Sequence, residues 1–404
     1  MTRAATATAP RLGSAWILIH RYVGLTILAF LALAALTGIV LVFEQDLDAA
    51  LNPDLFRADG AAVPMSPAEL VQRFEVGHPD IAVVKVPLSV AAHRSLVLGV
   101  EPRSSVSGAR RPLGYDQVFV APAGGRVLGV RMSEGVGVDR RHAVRSIYEL
   151  HTGLLAGPWG ERFMGVVSIA WLIETLIGLY LTLPRRAPRL RKWGAAWTIQ
   201  WRGSVLRVVH DLHRATGLWT LVIAVVFAYS SIALALYYEL FVPVVTAVSP
   251  PHASPFDQPM TPGMPIAAQI DYGRAIAAAV ERAHEQGLAW RPAVATYLPD
   301  RGWYGVMFTP SGFEEYRALG PITYYFDGRD GTFVYADDVY RDSAGAMVLR
   351  SIYPIHSGQL AGGATRWAVL GFGVVCTQTC VTGLWMWWRR RPRARVKSAV
   401  ISST

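Results

Sequence analysis

The sequence is short of two things that a soluble protein of 404 residues normally carries: it has two cysteines, and only 17% of its residues are charged. Both cysteines, Cys376 and Cys380, fall in one apolar run near the end. The long segments between apolar runs therefore hold no disulfide, and cysteine usage says nothing about compartment. No Gly-x-Gly-x-x-Gly follows a strand pattern and no phosphate-cradling loop occurs, which removes a resident nucleotide domain. Acids are missing where bases crowd: residues 184–207 carry Arg185, Arg186, Arg189, Arg191, Lys192, Arg202 and Arg207 with no Asp or Glu before Asp211. The tail, with Arg389, Arg390, Arg391, Arg393, Arg395 and Lys397, is likewise free of acid. The net charge of +10 thus sits beside apolar runs rather than along a soluble basic face, which argues for a membrane and against nucleic acid.

What is abundant is apolar surface, 52% of residues. Four runs, Trp16 to Phe43, Phe163 to Leu183, Leu218 to Tyr238 and Trp367 to Trp388, reach the roughly 20 residues that a spanning helix requires. The first is far longer than the ~7–15 residues of a signal-peptide core and reads as an uncleaved anchor. Four spans, with both basic segments inside by the positive-inside rule, put both termini in the cytoplasm and make this a multi-pass protein of a bacterial inner membrane in contact with lipid. The expected order is a first transmembrane helix at 12–43, an outer domain at 44–140, a pre-helix and second span at 141–183, and a basic cytoplasmic loop at 184–207. A third span at 208–241, an outer domain at 242–346, a pre-helix and fourth span at 347–388, and the basic tail 389–404 complete it. Each outer segment has a helical pattern, opening at Ser66-Pro67 or at Asp271, followed by alternating runs and a Gly-bearing turn (121–130 and 326–335), which predicts two small α+β domains.

The chain repeats itself. SIYELHTGLLAG at 146–157 returns as SIYPIHSGQLAG at 351–362, so that His151 and His356 lie 205 positions apart. The same spacing carries Gly178 and Arg185-Arg186 onto Gly383 and Arg390-Arg391, while HRYVGL at 20–25 matches HRATGL at 213–218 with a spacing of 193. The chain is a tandem duplication. A helix opening with His-Arg-x-x-Gly, Thr37-Gly38 within it, and a later Leu-His-Thr-Gly before a Gly-rich step resemble the PepSY-associated transmembrane family over nearly the whole chain. That resemblance implies that the outer domains are PepSY modules, and the family includes haem-containing inner-membrane reductases of ferric siderophores.

Of ten histidines, His20 and His213 begin the inward ends of the first and third spans, and His151 and His356 precede the second and fourth on the outward side. A single histidine at a helix end is usually an interfacial hydrogen-bonding residue. Four at duplicated positions, with the resemblance, point instead to axial ligation of two haems b, His20 with His213 and His151 with His356. Two imidazoles on each iron leave no open position, which favours electron transfer. Arg21 and Arg214, directly after the inner histidines, are suited to haem propionates and equally to reporting the inside face. His210, one turn before His213, competes for the inner iron, although its repeat position holds Ile17. His78, His93, His142, His252 and His284 lack repeat partners and read as solvated loop residues.

Glu174, deep in the second span, is an ionisable group in lipid, either a charge-compensating neighbour of a haem or a carboxyl bonded within the bundle. Cys376 and Cys380, at i and i+4, make too small a ligand set for a metal and read as packing. Trp193, Trp197 and Trp201, every four residues beside basic groups, suggest a helix lying on the inner surface, and Trp385, Trp387 and Trp388 an interfacial belt. The resulting expectation is an oxidoreductase that takes electrons from a quinol or a cytoplasmic flavoprotein and reduces a ferric siderophore outside. The alternatives are a cytochrome b subunit serving another periplasmic protein and a PepSY sensor or scaffold without catalysis.

Overall fold

A computed structural model describes residues 12–58, 65–103, 112–258 and 265–391; Arg393, Arg395 and Lys397 of the basic tail lie outside them. In the first half, α1 (Leu12–Leu41) leads through the short α2 (Glu44–Leu51) and α3 (Pro53–Phe56) to α4 (Pro67–Gly77). Strands β1 (Ile81–Pro87), β2 (Leu96–Pro102), β3 (Gln117–Val120) and β4 (Val127–Arg131) follow. Helix α5 (Ala143–Gly153) then turns into the long α6 (Gly157–Thr182). The second half repeats the order after a short α7 (Arg189–Trp193): α8 (Val205–Trp219), α9 (Leu221–Ala235), α10 (Val242–Val248) and α11 (Tyr272–Glu285). Strands β5 (Arg291–Leu298), β6 (Trp303–Thr309), β7 (Ile322–Asp327) and β8 (Phe333–Asp337) lead to α12 (Ala344–Ser357) and α13 (Gly363–Arg389).

Among the described residues, three helices are continuous, long and apolar enough to cross a membrane: Ala15–Leu41, Gly157–Thr182 and Gly363–Arg389. The expected third span is broken, since α8 and α9 meet at a bend of 69° and make a fourth crossing only as a pair. Its cause lies in the polar content of α8. Arg207, Asp211 and Arg214 stand on that helix, and Arg214 donates to the Ala195 and Ala196 carbonyls of the preceding loop at 3.0 and 3.1 Å. At the bend itself Thr216 and Thr220 both donate to carbonyls four residues back, the bonding that bends helices. Outward faces of the helices carry exposed Leu36, Val166, Leu176, Val222 and Val374, a surface suited to lipid. Inside, α1 packs on α13 and α6, and α6 on α9. Gly373 is one reason the first pair approaches closely, because a Cβ there would stand 2.7 Å from Ile39 Cγ1.

The two expected outer domains are a single body. All eight strands form one antiparallel sheet in the order β4-β3-β2-β1-β5-β6-β7-β8. The seam between the halves is β1 against β5, with Lys85, Val86 and Pro87 opposite Thr296, Ala295 and Val294. Each half brings alternating apolar residues and one capped helix. Ser66 forms a capping box with Glu69, and Asp271 accepts from the Arg274 amide. Both helices cover the sheet over one shared core in which Leu70, Phe74, Val83, Leu98 and Val118 join Ala275, Ala279, Val306, Phe308 and Tyr324. Tyr272 Oη on α11 donates to the Val83 carbonyl on β1 at 2.8 Å, a bond that crosses the duplication. Pairing at β1 and β5 removes an exposed edge from each half. Trp193, Trp197 and Trp201 do not share one helix: α7 ends at Trp193, a 3-10 turn covers Gly194–Trp197, and Trp201 lies beyond both.

Candidate functional site

The helices bring the four duplicated histidines together as two pairs. The ring centres of His151 and His356 are 6.1 Å apart, and those of His20 and His213 are 6.5 Å apart. His151 and His356 occupy the last turns of α5 and α12, the helices that enter the second and last spans. His20 lies in α1 and His213 in α8.

Each ring is fixed by its Nδ1. His151 Nδ1 donates at 3.0 Å to Thr37 Oγ1, whose own proton goes to the Leu33 carbonyl at 2.7 Å. His356 Nδ1 donates at 2.9 Å to Ser230 Oγ, which in turn donates to the Phe227 carbonyl at 3.1 Å. His213 Nδ1 donates to the Thr379 carbonyl at 3.1 Å and to Thr382 Oγ1 at 3.0 Å. His20 Nδ1 donates to Glu174 Oε2 at 2.6 Å. In the first three the acceptor has no proton left to give, so Nδ1 must carry the hydrogen and Nε2 is left as a lone pair. Outside the spans, burial pushes the His151 pKa down, and burial with the neighbouring ring pushes His356 down to about 3, so both outer rings are neutral at physiological pH.

Neutral rings anchored through one nitrogen are the state in which imidazole binds a metal. Two metal–nitrogen bonds of about 2 Å, made from opposite sides of one ion, separate the ring centres by roughly 6 Å. Both pairs meet that spacing. Among the described residues no group of three or more His, Cys, Asp or Glu is placed to hold a metal ion, so each pair offers two protein ligands. The close approach at the outer pair is permitted by Gly38, where a Cβ would stand 3.2 Å from His151 Cε1. Thr37 lies 17 positions beyond His20 on α1, which separates the two pairs by roughly 25 Å along the helix at 1.5 Å per residue. Trp171 stacks on Phe372, Phe372 meets Phe227 at a tilt, and Phe227 reaches the His356 ring at 5.3 Å between ring centres.

Comparison with protein families decides what kind of chain carries this arrangement. The profile of the family described as PepSY-associated TM region matches residues 17–390. The chain belongs to that family. A comparison with curated proteins finds no match. As a PepSY-associated transmembrane protein it is a membrane protein with candidate spanning helices and an antiparallel sheet domain.

The remaining predicted site residues fall elsewhere. The ring that meets His20 is that of His213; His210 donates to Asp211 Oδ1 at 3.4 Å and is 43% exposed at its side chain. Arg214 is engaged by the Asp211 carboxylate and by loop carbonyls, and Arg21 is exposed. Of the unmatched histidines, His142 is half-buried and bonded to Asp139 at 2.7 Å, and His78 stacks on Phe74. Sequence reasoning named the rings and singled out Glu174 without its partner, and missed the other anchors. Thr37 and Ser230 are related by the 193-residue spacing that relates His20 to His213, and that signal was open to reading. Thr382 carried none, since its repeat position is Ile177. A cleft of about 230 Å³ opens beside β7 and β8, where Arg282 and Arg341 face Asp338 and Asp342. It is lined by none of the paired histidines.

Proposed function

We propose that this PepSY-associated protein is an inner-membrane oxidoreductase that holds two haems b and delivers electrons to a ferric siderophore on the periplasmic side. The observation that carries the reading is the geometry of the two histidine pairs: matched spacings, four rings anchored through Nδ1, and a lone pair left on Nε2 of His151, His356 and His213. His20 with His213, and His151 with His356, would hold the two haems. A haem bound by two imidazoles supplies one-electron chemistry with no open coordination position. Two protein ligands per pair are too few for a bare ion and would suit a metal that brings further ligands of its own. The separation along α1 approaches the hydrocarbon thickness of a bilayer, so the pairs serve opposite faces. Basic loop 184–207 and the basic tail set the cytoplasmic side.

The residues do four things in this scheme. Thr37, Ser230, Thr379, Thr382 and Glu174 orient the rings, and Phe227, Phe372 and Trp171 fill the interior and keep water from the path. Helix α8, set at an angle to α9, carries His213 to the bundle while its polar residues stay at the interface. The fused sheet forms the outer surface against which an acceptor docks. The net reaction oxidises a membrane quinol to quinone with release of two protons, or a reduced cytoplasmic flavoprotein by two electrons, and converts two chelated Fe(III) to Fe(II), releasing iron because hard oxygen donors hold Fe(II) weakly.

The visible spectrum of the purified protein is the first test, with a Soret band and two haems per chain expected. Addition of a purified ferric siderophore to the dithionite-reduced protein should then reoxidise it and yield Fe(II) captured by a ferrous chelator. Protein without a Soret band removes the haem. A reduced spectrum unchanged by the siderophore, with no Fe(II) captured, removes the substrate and leaves an electron-transfer subunit for another periplasmic protein.

A further inference from the structure

Three of the four rings are held by neutral groups, and the fourth is not. Thr37 and Ser230 hold the outer pair, the Thr379 carbonyl and Thr382 hydroxyl hold His213, and a carboxylate holds His20. The His20 contact, at 2.6 Å, is the shortest of the set. Glu174 is 5% exposed, and its second oxygen, Oε1, is buried with no hydrogen-bond partner. An acid at such depth is costly. Holding a ring does not require one, because the repeat solves that task with groups that carry no charge. The position matching Glu174 is Thr379, whose hydroxyl turns away to the Val375 carbonyl at 2.9 Å, and the position matching Thr382 is Ile177. The acid therefore answers a need that the other three anchors do not share.

Hydrogen bonding to a carboxylate raises the basicity of a ligating imidazole, and bonds around an axial ligand are one of the levers by which a protein sets a haem potential. A more basic imidazole stabilises the ferric over the ferrous state. We infer that Glu174 is a positioning and tuning residue that makes His20 the strongest donor of the four and holds the inner site at a lower potential than the outer one. The two stations, otherwise built from the same repeat, then form a downhill pair from the cytoplasmic to the periplasmic face. The inference rests on the haem reading and adds to it a direction that the histidines alone do not supply.

The test is a spectroscopic redox titration of the full-length, haem-loaded protein in detergent or nanodiscs. Two one-electron transitions are expected in the unaltered chain. Glu174→Gln keeps a hydrogen-bonding side chain without the charge and should move the lower transition upward while leaving the higher one in place, so that the gap narrows. Glu174→Thr with Ile177→Thr transplants the His213 anchors to His20 and should give the same upward shift with both haems retained. Raman and electron paramagnetic resonance signatures should change for one haem only, toward a weaker axial donor. Either variant retaining both haems with both potentials unmoved overturns the inference, as does a shift confined to the higher-potential haem. Loss of one haem from both variants also overturns it, because Glu174 would then serve only to retain the ring. These failures leave two haems in the unaltered protein and so spare the proposed function, whereas an unaltered protein without haem removes both.

Discussion

The two histidine pairs descend from one repeat and are anchored in different ways, and the contrast separates what duplication preserves from what it releases. At the outer pair both halves kept a β-hydroxyl at the same repeat position, Thr37 and Ser230, and both rings rest on it. At the inner pair the halves parted: one ring rests on Glu174 and the other on a carbonyl and Thr382. Ring spacings nevertheless differ by only a few tenths of an ångström, at 6.1 and 6.5 Å. The placement of the rings is constrained by the helices, while the anchors are open to change.

The sharpest way to break this comparison is to remove one pair and ask whether the other survives. His151→Ala with His356→Ala should halve the haem per chain, measured by pyridine haemochrome assay, and leave the inner signal intact; loss of all haem would mean that the pairs are not independent sites. A milder perturbation addresses the anchors. Thr37→Val removes the side-chain acceptor of His151 and should weaken haem retention about 10–100-fold, the usual cost of deleting a partner behind a metal ligand. Thr382→Val should cost less, since the Thr379 carbonyl still receives His213 Nδ1 at 3.1 Å. Equal losses in the two variants would argue against Thr37 and Thr382 as ring anchors.

Smaller again is an effect on backbone. The repeated motif ends differently in its two copies: α12 closes with Gly358 at φ 74°, whereas α5 closes with Leu154 and Leu155 at φ 55° and 59°. Leu155→Gly places a residue at ease in that conformation and should raise stability by about 0.5–1 kcal/mol, read as a higher thermal midpoint with unchanged haem content. The smallest expected change is none: His210→Ala should leave both haems and both spectra as they are, and loss of the inner haem would reinstate His210 as a ligand.

The sequence was most legible where the repeat was longest. SIYELHTGLLAG and its copy mark the outer histidines by spacing alone, and HRYVGL with HRATGL marks the inner ones. The bend between α8 and α9 was hidden because a hydropathy window registers apolar content and not direction, and Leu218 to Tyr238 is predominantly apolar. Glu174 stood out as an acid in lipid, but its partner lies 154 positions away and no local pattern names it. Fusion of the two expected domains into one sheet was equally invisible. The alternation in β1 and in β5 specifies strands and faces, and their pairing with each other is settled by a shared core contributed from both halves.

That fusion bears on how the chain is made. Strand β1 ends at Pro87 and its partner β5 begins at Arg291, 204 positions later. At ribosomal rates of about 5–20 residues per second, the first four strands wait on the order of 10–40 s for the second set. Throughout that interval β1 is an open edge, able to pair with another nascent chain. Lys85 and Pro87, which later sit at the seam opposite Thr296 and Val294, are the kinds of residue that keep such an edge from sticking. The seam of the finished sheet thus carries its own guard against misassembly during biogenesis.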